Sequence, residues 1–242
     1  MLAPETQGKR ARLAAETERI KAAYTRRQCG DLYSWFTPAH LFIMQDRERR
    51  VLNLLKSLEL TRLEGQKILE VGCGTGYWLG EFIKWGARPE NLTGIDLLSE
   101  KLVTARSIQA SKVGLVQANA AYLPFPSSYF DIVLQSMVFT SILDPAMKQA
   151  VAEELLRVLK PQGLILWYDY HLNNPWNPNV RGVKKREITK VLFPGCAVKL
   201  RRLTLAPPLT RRLAPHSVFL CSFLERLPFL CTHYLGIIRK IP

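Results

Sequence analysis

The segment Ile68-Leu69-Glu70-Val71-Gly72-Cys73-Gly74-Thr75-Gly76-Tyr77 constrains this chain more than any other. A short apolar strand runs into glycines at 72, 74 and 76, and a helical pattern follows to about Lys84. Glycine tolerates the left-handed backbone that a tight strand-to-helix turn needs, and its bare backbone lets a ligand come close. The unit then recurs. Residues 92–95 predict a second strand, 99–110 a helix, 113–117 a third strand and 130–134 a fourth. Asp144-Pro145 opens a helix whose apolar positions are Val151, Leu155, Leu156, Val158 and Leu159, and Pro161-Gln162-Gly163 ends it. Residues 164–168 predict the fifth strand, and the stretches 198–205 and 233–238 complete the sheet. The fold class implied is α/β: a Rossmann-like, seven-stranded, mostly parallel sheet with helices on both faces. No internal repeat is present.

Asp96 stands 20 residues beyond Gly76, at the end of the second strand. That spacing suits a carboxylate that accepts hydrogen bonds from ribose hydroxyls, so fold logic alone points to a nucleoside cofactor at the carboxyl ends of the strands. The chain has no G-x-x-x-x-G-K-[ST] loop for a nucleoside triphosphate. Its spacing is G-x-G-x-G, without the third glycine of the dinucleotide fingerprint, which argues against NAD.

With Leu123-Pro124-Phe125, Phe130-Asp131-Ile132-Val133 and the run from Leu156 through Lys160-Pro161 to Gly163, these elements resemble a class I S-adenosylmethionine-dependent methyltransferase. The likeness covers residues 67–168 and is nearest in flavour to the ubiquinone/menaquinone-type and small-molecule methyltransferases. The cofactor it implies is S-adenosylmethionine, leaving as S-adenosylhomocysteine. Glu70, Gly72, Cys73, Gly74 and Gly76 would form the turn around its methionine and ribose portions. Asp96 would hold the ribose, and Leu97 would lie against the adenine. Asn119-Ala120 stands where the family usually has Asp-Ala, so an uncharged amide oxygen would accept from the adenine amino group. Gln135 and Ser136 would line the cofactor near its sulfonium. Asn119 and Gln135 also fit a plainer role, as satisfied polar residues at strand ends.

A methyl sulfonium is already electrophilic, so alignment of the acceptor is the chief task and a base is needed only for a protonated nucleophile. Candidates cluster in Trp167-Tyr168-Asp169-Tyr170-His171, with His171 as base and Asp169 or Tyr170 orienting it. His40 is a second candidate; a loop histidine without a catalytic role is the alternative for both. Tyr33, Trp35 and Phe36 read either as an aromatic lid over cofactor and acceptor or as packing. Residues 1–36, Ala/Arg/Glu-rich and then aromatic, read as a flexible N-terminal segment or lid, with a frayed helix in their first part. Thr37-Pro38 then starts a long amphipathic helix over 38–59. Residues 37–242 read as one domain, with a cofactor-binding core at 67–170 and an acceptor side at 171–242.

Charge separates these parts. Residues 1–65 carry net +4, residues 66–170 net −1 and residues 171–242 net +11. The basic clusters are Lys184-Lys185-Arg186, Arg201-Arg202 and Arg211-Arg212, interleaved with Leu203, Leu205, Phe219, Leu220, Phe223, Leu224, Leu227, Phe229 and Leu230. Besides a solvated face, this pattern fits an anionic partner, and its apolar content favours a lipid-linked acceptor or peripheral membrane contact over nucleic acid. Residues 173–181 read as a loop over the active site, and Pro207-Pro208 as the start of a helical insertion at the acceptor pocket. Base methylation of nucleic acid is disfavoured, because Gln135-Ser136-Met137-Val138 stands where amino methyltransferases carry [DNS]-P-P-[YFW], and no cysteine follows strands four or five. Ribose or guanine methylation of RNA, and a cofactor-binding protein without turnover, stay open as other readings.

Five cysteines (Cys29, Cys73, Cys196, Cys221, Cys231) form no C-x-x-C pair, so neither a disulfide frame nor a metal site is expected. The longest apolar stretch, 218–230, is broken by Glu225, Arg226 and Pro228, short of the roughly 20 residues that span a bilayer. No secretory leader is evident at the start. A cytoplasmic protein, membrane-peripheral at most, is the expectation.

Overall fold

The computed structural model describes residues 4–26, 31–110 and 112–241, and all their side chains except those of 4–7 and 9. In chain order the elements are α1 (Pro4–Thr25), α2 (Pro38–Ser57), β1 (Ile68–Val71), α3 (Tyr77–Lys84), β2 (Leu92–Asp96), α4 (Ser99–Ile108) and β3 (Gly114–Gln117). There follow β4 (Phe130–Ser136), α5 (Pro145–Val158), β5 (Leu159–Tyr170), α6 (Lys185–Glu187, continued by a π turn Ile188–Leu192), β6 (Cys196–Leu205), α7 (Pro207–Leu213), α8 (Val218–Leu224) and β7 (Cys231–Lys240).

The seven strands form one sheet in the order β3-β2-β1-β4-β5-β7-β6. β1 through β5 pair in parallel, and β7 runs antiparallel between β5 and β6. The expected class is therefore observed. β1 is buried at every position, as a central strand covered on both faces must be. One face packs Val51 and Leu55 of α2, Trp78, Leu79 and Phe82 of α3 and Leu102 of α4 against Ile68, Ile132, Leu134, Leu166 and Tyr168. The other packs Leu13 and Ile20 of α1, Val151 and Leu155 of α5 and Ile188 of the π turn against Leu69, Val133, Ile165 and Trp167.

Several boundaries differ from the sequence reading for local reasons. The second helix stops at Ser57 rather than 59, because Glu59 takes a left-handed backbone with φ of 61°. Thr37 does not cap it: its hydroxyl donates to the Asp31 carbonyl at 2.7 Å instead. Asp144 does cap α5, accepting from the Met147 amide at 2.9 Å. The expected loop at 161–163 lies within β5, since the chain is already extended at Leu159 and pairs there with Phe130. α1 is a continuous helix from Pro4, with Leu13 and Ile20 buried. The segment 207–213 is helical as expected, and it packs on α2 through Leu209, Leu213, Ala39 and Phe42.

Cys73, Cys196, Cys221 and Cys231 are free thiols; Cys29 lies outside the described residues. Among the described residues no helix is long and apolar enough to cross a membrane.

Candidate cofactor cleft

Strand order reverses at β1, whose neighbours β2 and β4 lead to opposite edges of the sheet. In open α/β sheets the crevice at the carboxyl ends of such strands is where ligands bind. A cleft opens there, lined by Gly72 and Gly74 from the turn, Asp96 at the end of β2 with Leu97 and Lys101 beyond it, and Asn119 and Ala120 after β3. Ser136, Met137 and Val138 after β4 close its far wall.

The glycine turn is dictated by its backbone. Gly72, Gly74 and Gly76 all have positive φ, at 67°, 52° and 81°. A Cβ on Gly72 would meet Val138 Cγ2 at 2.8 Å, whereas one on Gly74 would have nothing within 4 Å and would project into open space. Gly74 is thus a bare cradle. Gly72→Val is expected to cost about 2 kcal/mol in chemical denaturation, from the left-handed penalty on a branched residue plus displacement of Val138. An unchanged midpoint would show that the turn relaxes.

Asp96 ties the cleft together. Its Oδ2 accepts from the Gly74 amide at 2.8 Å and its Oδ1 from the Leu98 amide at 2.9 Å. Burial raises its carboxyl above the usual 3.8, against the opposing pull of those amides and of Lys101. Glu70 lies deeper and does not line the cleft. It accepts from the Leu79 amide at 3.2 Å and so joins the end of β1 to the first turn of α3. Burial pushes its carboxyl well above the normal range, and neighbouring Asp96 adds to the shift while Arg47 opposes it. The Cys73 thiol is likewise driven far up by burial, which leaves its amide, donated to the Ile95 carbonyl at 2.8 Å, as its contribution to the turn. Gly76 starts α3 and Gln109 Nε2 donates to its carbonyl at 2.8 Å.

The remaining expected cofactor residues divide. Leu97, Asn119, Ala120 and Ser136 line the cleft. Asn119 is occupied on both sides of its amide: Oδ1 accepts from the Ala121 amide and Nδ2 donates to Thr17 of α1, each at 2.9 Å. Gln135 is fully buried beneath the cleft, its Oε1 accepting from the Val138 amide at 3.3 Å. It shapes the turn after β4, where Met137 takes a left-handed backbone with φ of 65°. A non-glycine residue held in that conformation at a cleft stores strain that the surroundings must hold in place.

Sequence reasoning read residues 1–36 as a flexible segment or lid but named no residue of the wall that α1 forms. Ile20 and Tyr24 of α1, with Ser141, Ile142 and Met147, close the cleft on the side of α5. Arg19 donates to the Ser141 carbonyl at 2.6 Å and pairs with Glu16 at 2.7 and 2.8 Å. Glu16 also accepts from the amides of Leu143 and Asp144, and Arg12 pairs with Asp144 at 2.9 Å. The available signal was the spacing Leu13, Ile20, Tyr24, a helical stripe, but it is thin within an otherwise charged segment.

The catalytic candidates fall on different faces of β5. Asp169 is fully buried, accepting from the amides of Thr140 at 3.1 Å and Tyr170 at 2.9 Å, and burial lifts its carboxyl to about 6. His171 points its Nε2 at the Cys231 carbonyl, 3.0 Å away, and stacks on Tyr234. Neither lines the cleft, and the two do not bond each other. Tyr170 lies over His233 with ring centroids 3.9 Å apart, and burial raises its phenol to about 12. His40 sits among the expected lid aromatics, 5.3 Å from Trp35 and 6.0 Å from Tyr33, and Trp35 continues to Tyr77 at 5.9 Å. Burial, then Arg47, lowers the proton affinity of His40. Phe36 is 97% exposed and belongs to no such cluster. Asn177, Asn179 and Val180 of the expected loop face Tyr24 and Ser141 beside the cleft.

The strand order, the glycine turn and the acid that ends β2 define the class I S-adenosylmethionine-dependent methyltransferase fold. Residues 68–163 match the sequence profile of a family described as "Methyltransferase domain". A fatty-acid O-methyltransferase of Mycolicibacterium smegmatis is 37% identical over 108 residues, 44% of this chain and 38% of that one. A ubiquinone/menaquinone biosynthesis C-methyltransferase of Vibrio vulnificus is 32% identical over 111 residues, covering 44% and 42%. The chain thus spans less than half the length of the curated relatives it matches. Among solved structures, a methyltransferase of Methanosarcina mazei superposes with a TM-score of 0.56 at 18% identity, covering 76% of this chain and 97% of that one. The [4+2]-cyclase SpnF gives 0.59 at 17%, covering 81% and 82%. At such identities the likeness shows the fold.

The cofactor of this fold family is S-adenosylmethionine, and the donor set fits it. A part-buried carboxylate faces the cleft for a ribose diol, a bare glycine backbone admits the methionine portion, and Ile95, Leu97, Ala120 and Met147 offer apolar walls to a flat base.

Proposed function

We propose that the protein transfers a methyl group from S-adenosylmethionine to an oxygen or carbon of a small, hydrophobic or lipid-like acceptor. The observation that carries this reading is the cleft itself: Asp96, Gly74 and Gly72 share one switch-point crevice with the donor chemistry a nucleoside sulfonium needs. Bound there, the cofactor supplies a methyl group on a positively charged sulfur. The chain's part is to hold the ribose through Asp96, to exclude water with Ile20, Tyr24 and Met147, and to align the acceptor.

The acceptor wall is aromatic. Tyr33, Trp35 and His40 arch from the start of α2 to Tyr77, the first residue after the glycine turn. Such a wall suits an apolar or aromatic acceptor, and the activities of the two named relatives, fatty-acid O-methylation and C-methylation in ubiquinone/menaquinone biosynthesis, are compatible with it. For an acceptor that keeps its proton at neutral pH, His40 would serve as the base: its proton affinity is lowered, as that of His171 is, and neither lines the cofactor cleft, so its place among Tyr33 and Trp35 is what selects it here. His171 and Asp169 would then support the sheet rather than touch the acceptor.

The test is calorimetric titration with S-adenosylmethionine and S-adenosylhomocysteine, followed by turnover on prenylated phenols, fatty acids and glycolipids. Saturable binding with turnover on one class supports the reading; binding with no turnover on any favours a non-catalytic cofactor protein. His40→Gln is expected to lower kcat on an oxygen acceptor by about 100-fold with KM little changed, within the usual reach of general-base catalysis. An unaltered kcat and pH profile would remove His40 from the chemistry.

A further inference from the structure

The basic, apolar last third of the chain folds so that its two properties share one surface. In α8, Phe219, Ser222 and Phe223 fall at i, i+3 and i+4 and so lie on one side, with Arg226 exposed in the turn that follows, while Cys221 is buried, as is Glu225 just after the helix. Phe219 is 82% exposed and Phe223 54%, and Phe229 in the next turn is 72% exposed. Three phenylalanines facing water within 11 residues are costly unless something covers them. Around them stand cations. Arg211 and Arg212 are exposed on α7, which packs beside α8. Arg226 shares a small cleft with Ser222, Asn53, Arg49, Arg50 and Asp46. Asp46 is held there by Arg49 at 2.6 Å and Arg50 at 3.3 Å, and buried Glu225 lies 3.9 Å from Arg50, so Arg49, Arg50 and Arg226 against these two carboxylates leave a positive excess. The positive rim continues past Arg50 to Lys199 and Arg201 on the edge strand β6.

We infer that this face docks on the surface of a bilayer rich in anionic lipid, with Phe219, Phe223 and Phe229 inserted at the headgroup boundary and the arginines on lipid phosphates. The charge is complementary, and ring insertion beneath a basic collar is how a peripheral surface gains both terms of its affinity. The patch sits beside the acceptor wall: α7 and α8 pack through Leu213, Ala214, Cys221 and Leu224 on Ala39 and Phe42, which flank His40 and Leu41 on α2. Docking would therefore hold the acceptor side against the phase that stores a lipid-like acceptor. That last step rests on the methyl-transfer reading; the docking surface itself does not.

The experiment is co-sedimentation of the full chain with phosphatidylcholine vesicles, with and without 30 mol% phosphatidylglycerol (about a third anionic, in the range of a charged leaflet), and without cofactor. Saturable binding to the anionic vesicles only is expected. It should fall at least about tenfold in Phe219→Ser/Phe223→Ser. It should fall roughly fivefold for each arginine removed in Arg211→Gln/Arg212→Gln. Both variants change exposed side chains, and unchanged S-adenosylhomocysteine titration would show them folded. No binding to anionic vesicles, or binding indifferent to the phenylalanines, overturns the inference. So does a wild-type dimer that the phenylalanine variant turns into monomer, or RNA that competes with the vesicles at equal charge. Failure of the methyltransferase reading would show instead as absent cofactor binding with vesicle binding intact.

Discussion

Asp96→Ala is expected to weaken S-adenosylmethionine and S-adenosylhomocysteine at least about 100-fold in calorimetric titration. A carboxylate offers about four acceptor sites, and the Gly74 and Leu98 amides take one on each oxygen. The remaining two match a ribose diol. Hydrogen bonds to a charged group contribute about 1.5–3 kcal/mol each, so losing two costs about 3–6 kcal/mol, or two to four decades. The alanine also frees the Gly74 amide, which loosens the turn. Asp96→Asn separates these effects: it keeps an oxygen for an amide but loses the charge, and an intermediate loss of roughly tenfold is expected. Because burial already lifts the Asp96 carboxyl, affinity should decline on acidification at higher pH than an ordinary aspartate with its pKa of 3.8 would allow. Binding within threefold of the parent in the alanine variant would mean that the ribose is held elsewhere.

The sheet was readable from sequence because buried parallel strands are short apolar runs and because glycine marks the turn between β1 and α3. Asp96 was readable from spacing alone. Two other parts of the site were not. Tyr170 and His171 are neighbours in sequence, yet the pleat sends them to opposite faces: Tyr170 joins Tyr168 over His233, while His171 lies with Tyr234. A run of candidate side chains on a strand is therefore two sets, and only the partner strand β7 tells which set meets which surroundings. The left-handed turn at Met137 is equally silent, since methionine carries no preference for it. α1 was hardest to read. Its exposed surface mixes charges with alanines and carries no strong apolar pattern, and the residue that anchors it, Glu16, is a polar group whose burial depends on amides 127 and 128 positions away.

That anchor yields the second large effect. Arg19→Ala is expected to release α1 from the cleft, raising hydrogen-exchange rates of its amides about 30-fold and speeding release of bound S-adenosylhomocysteine about tenfold. Arg19 spans Glu16 and the Ser141 carbonyl, so its loss leaves an 8% exposed carboxylate without its cation. Breaking a fully buried pair costs about 3–5 kcal/mol; with Arg19 itself 27% exposed, about 2 kcal/mol is the discounted figure, which is the 30-fold. The loss should be local, because α1 opens as a unit whose other ties are Leu13, Ile20, Tyr24, the Asn119–Thr17 hydrogen bond and the Arg12–Asp144 pair. Acid should act the same way. Burial alone would raise the Glu16 carboxyl, but Arg19 and the Leu143 and Asp144 amides outweigh it and hold it below 4.5. Burial is likewise outweighed at Asp144, where the Met147 amide and Arg12 keep the carboxyl below 3.8. A carboxyl depressed in the folded state contributes its stability above the unfolded value and loses it as pH falls through the folded one. α1 should therefore stay docked at neutral pH and detach below about 4.5, with the sheet still folded. Exchange in α1 that is the same in Arg19→Ala and the parent would show that the helix is held by its apolar stripe alone.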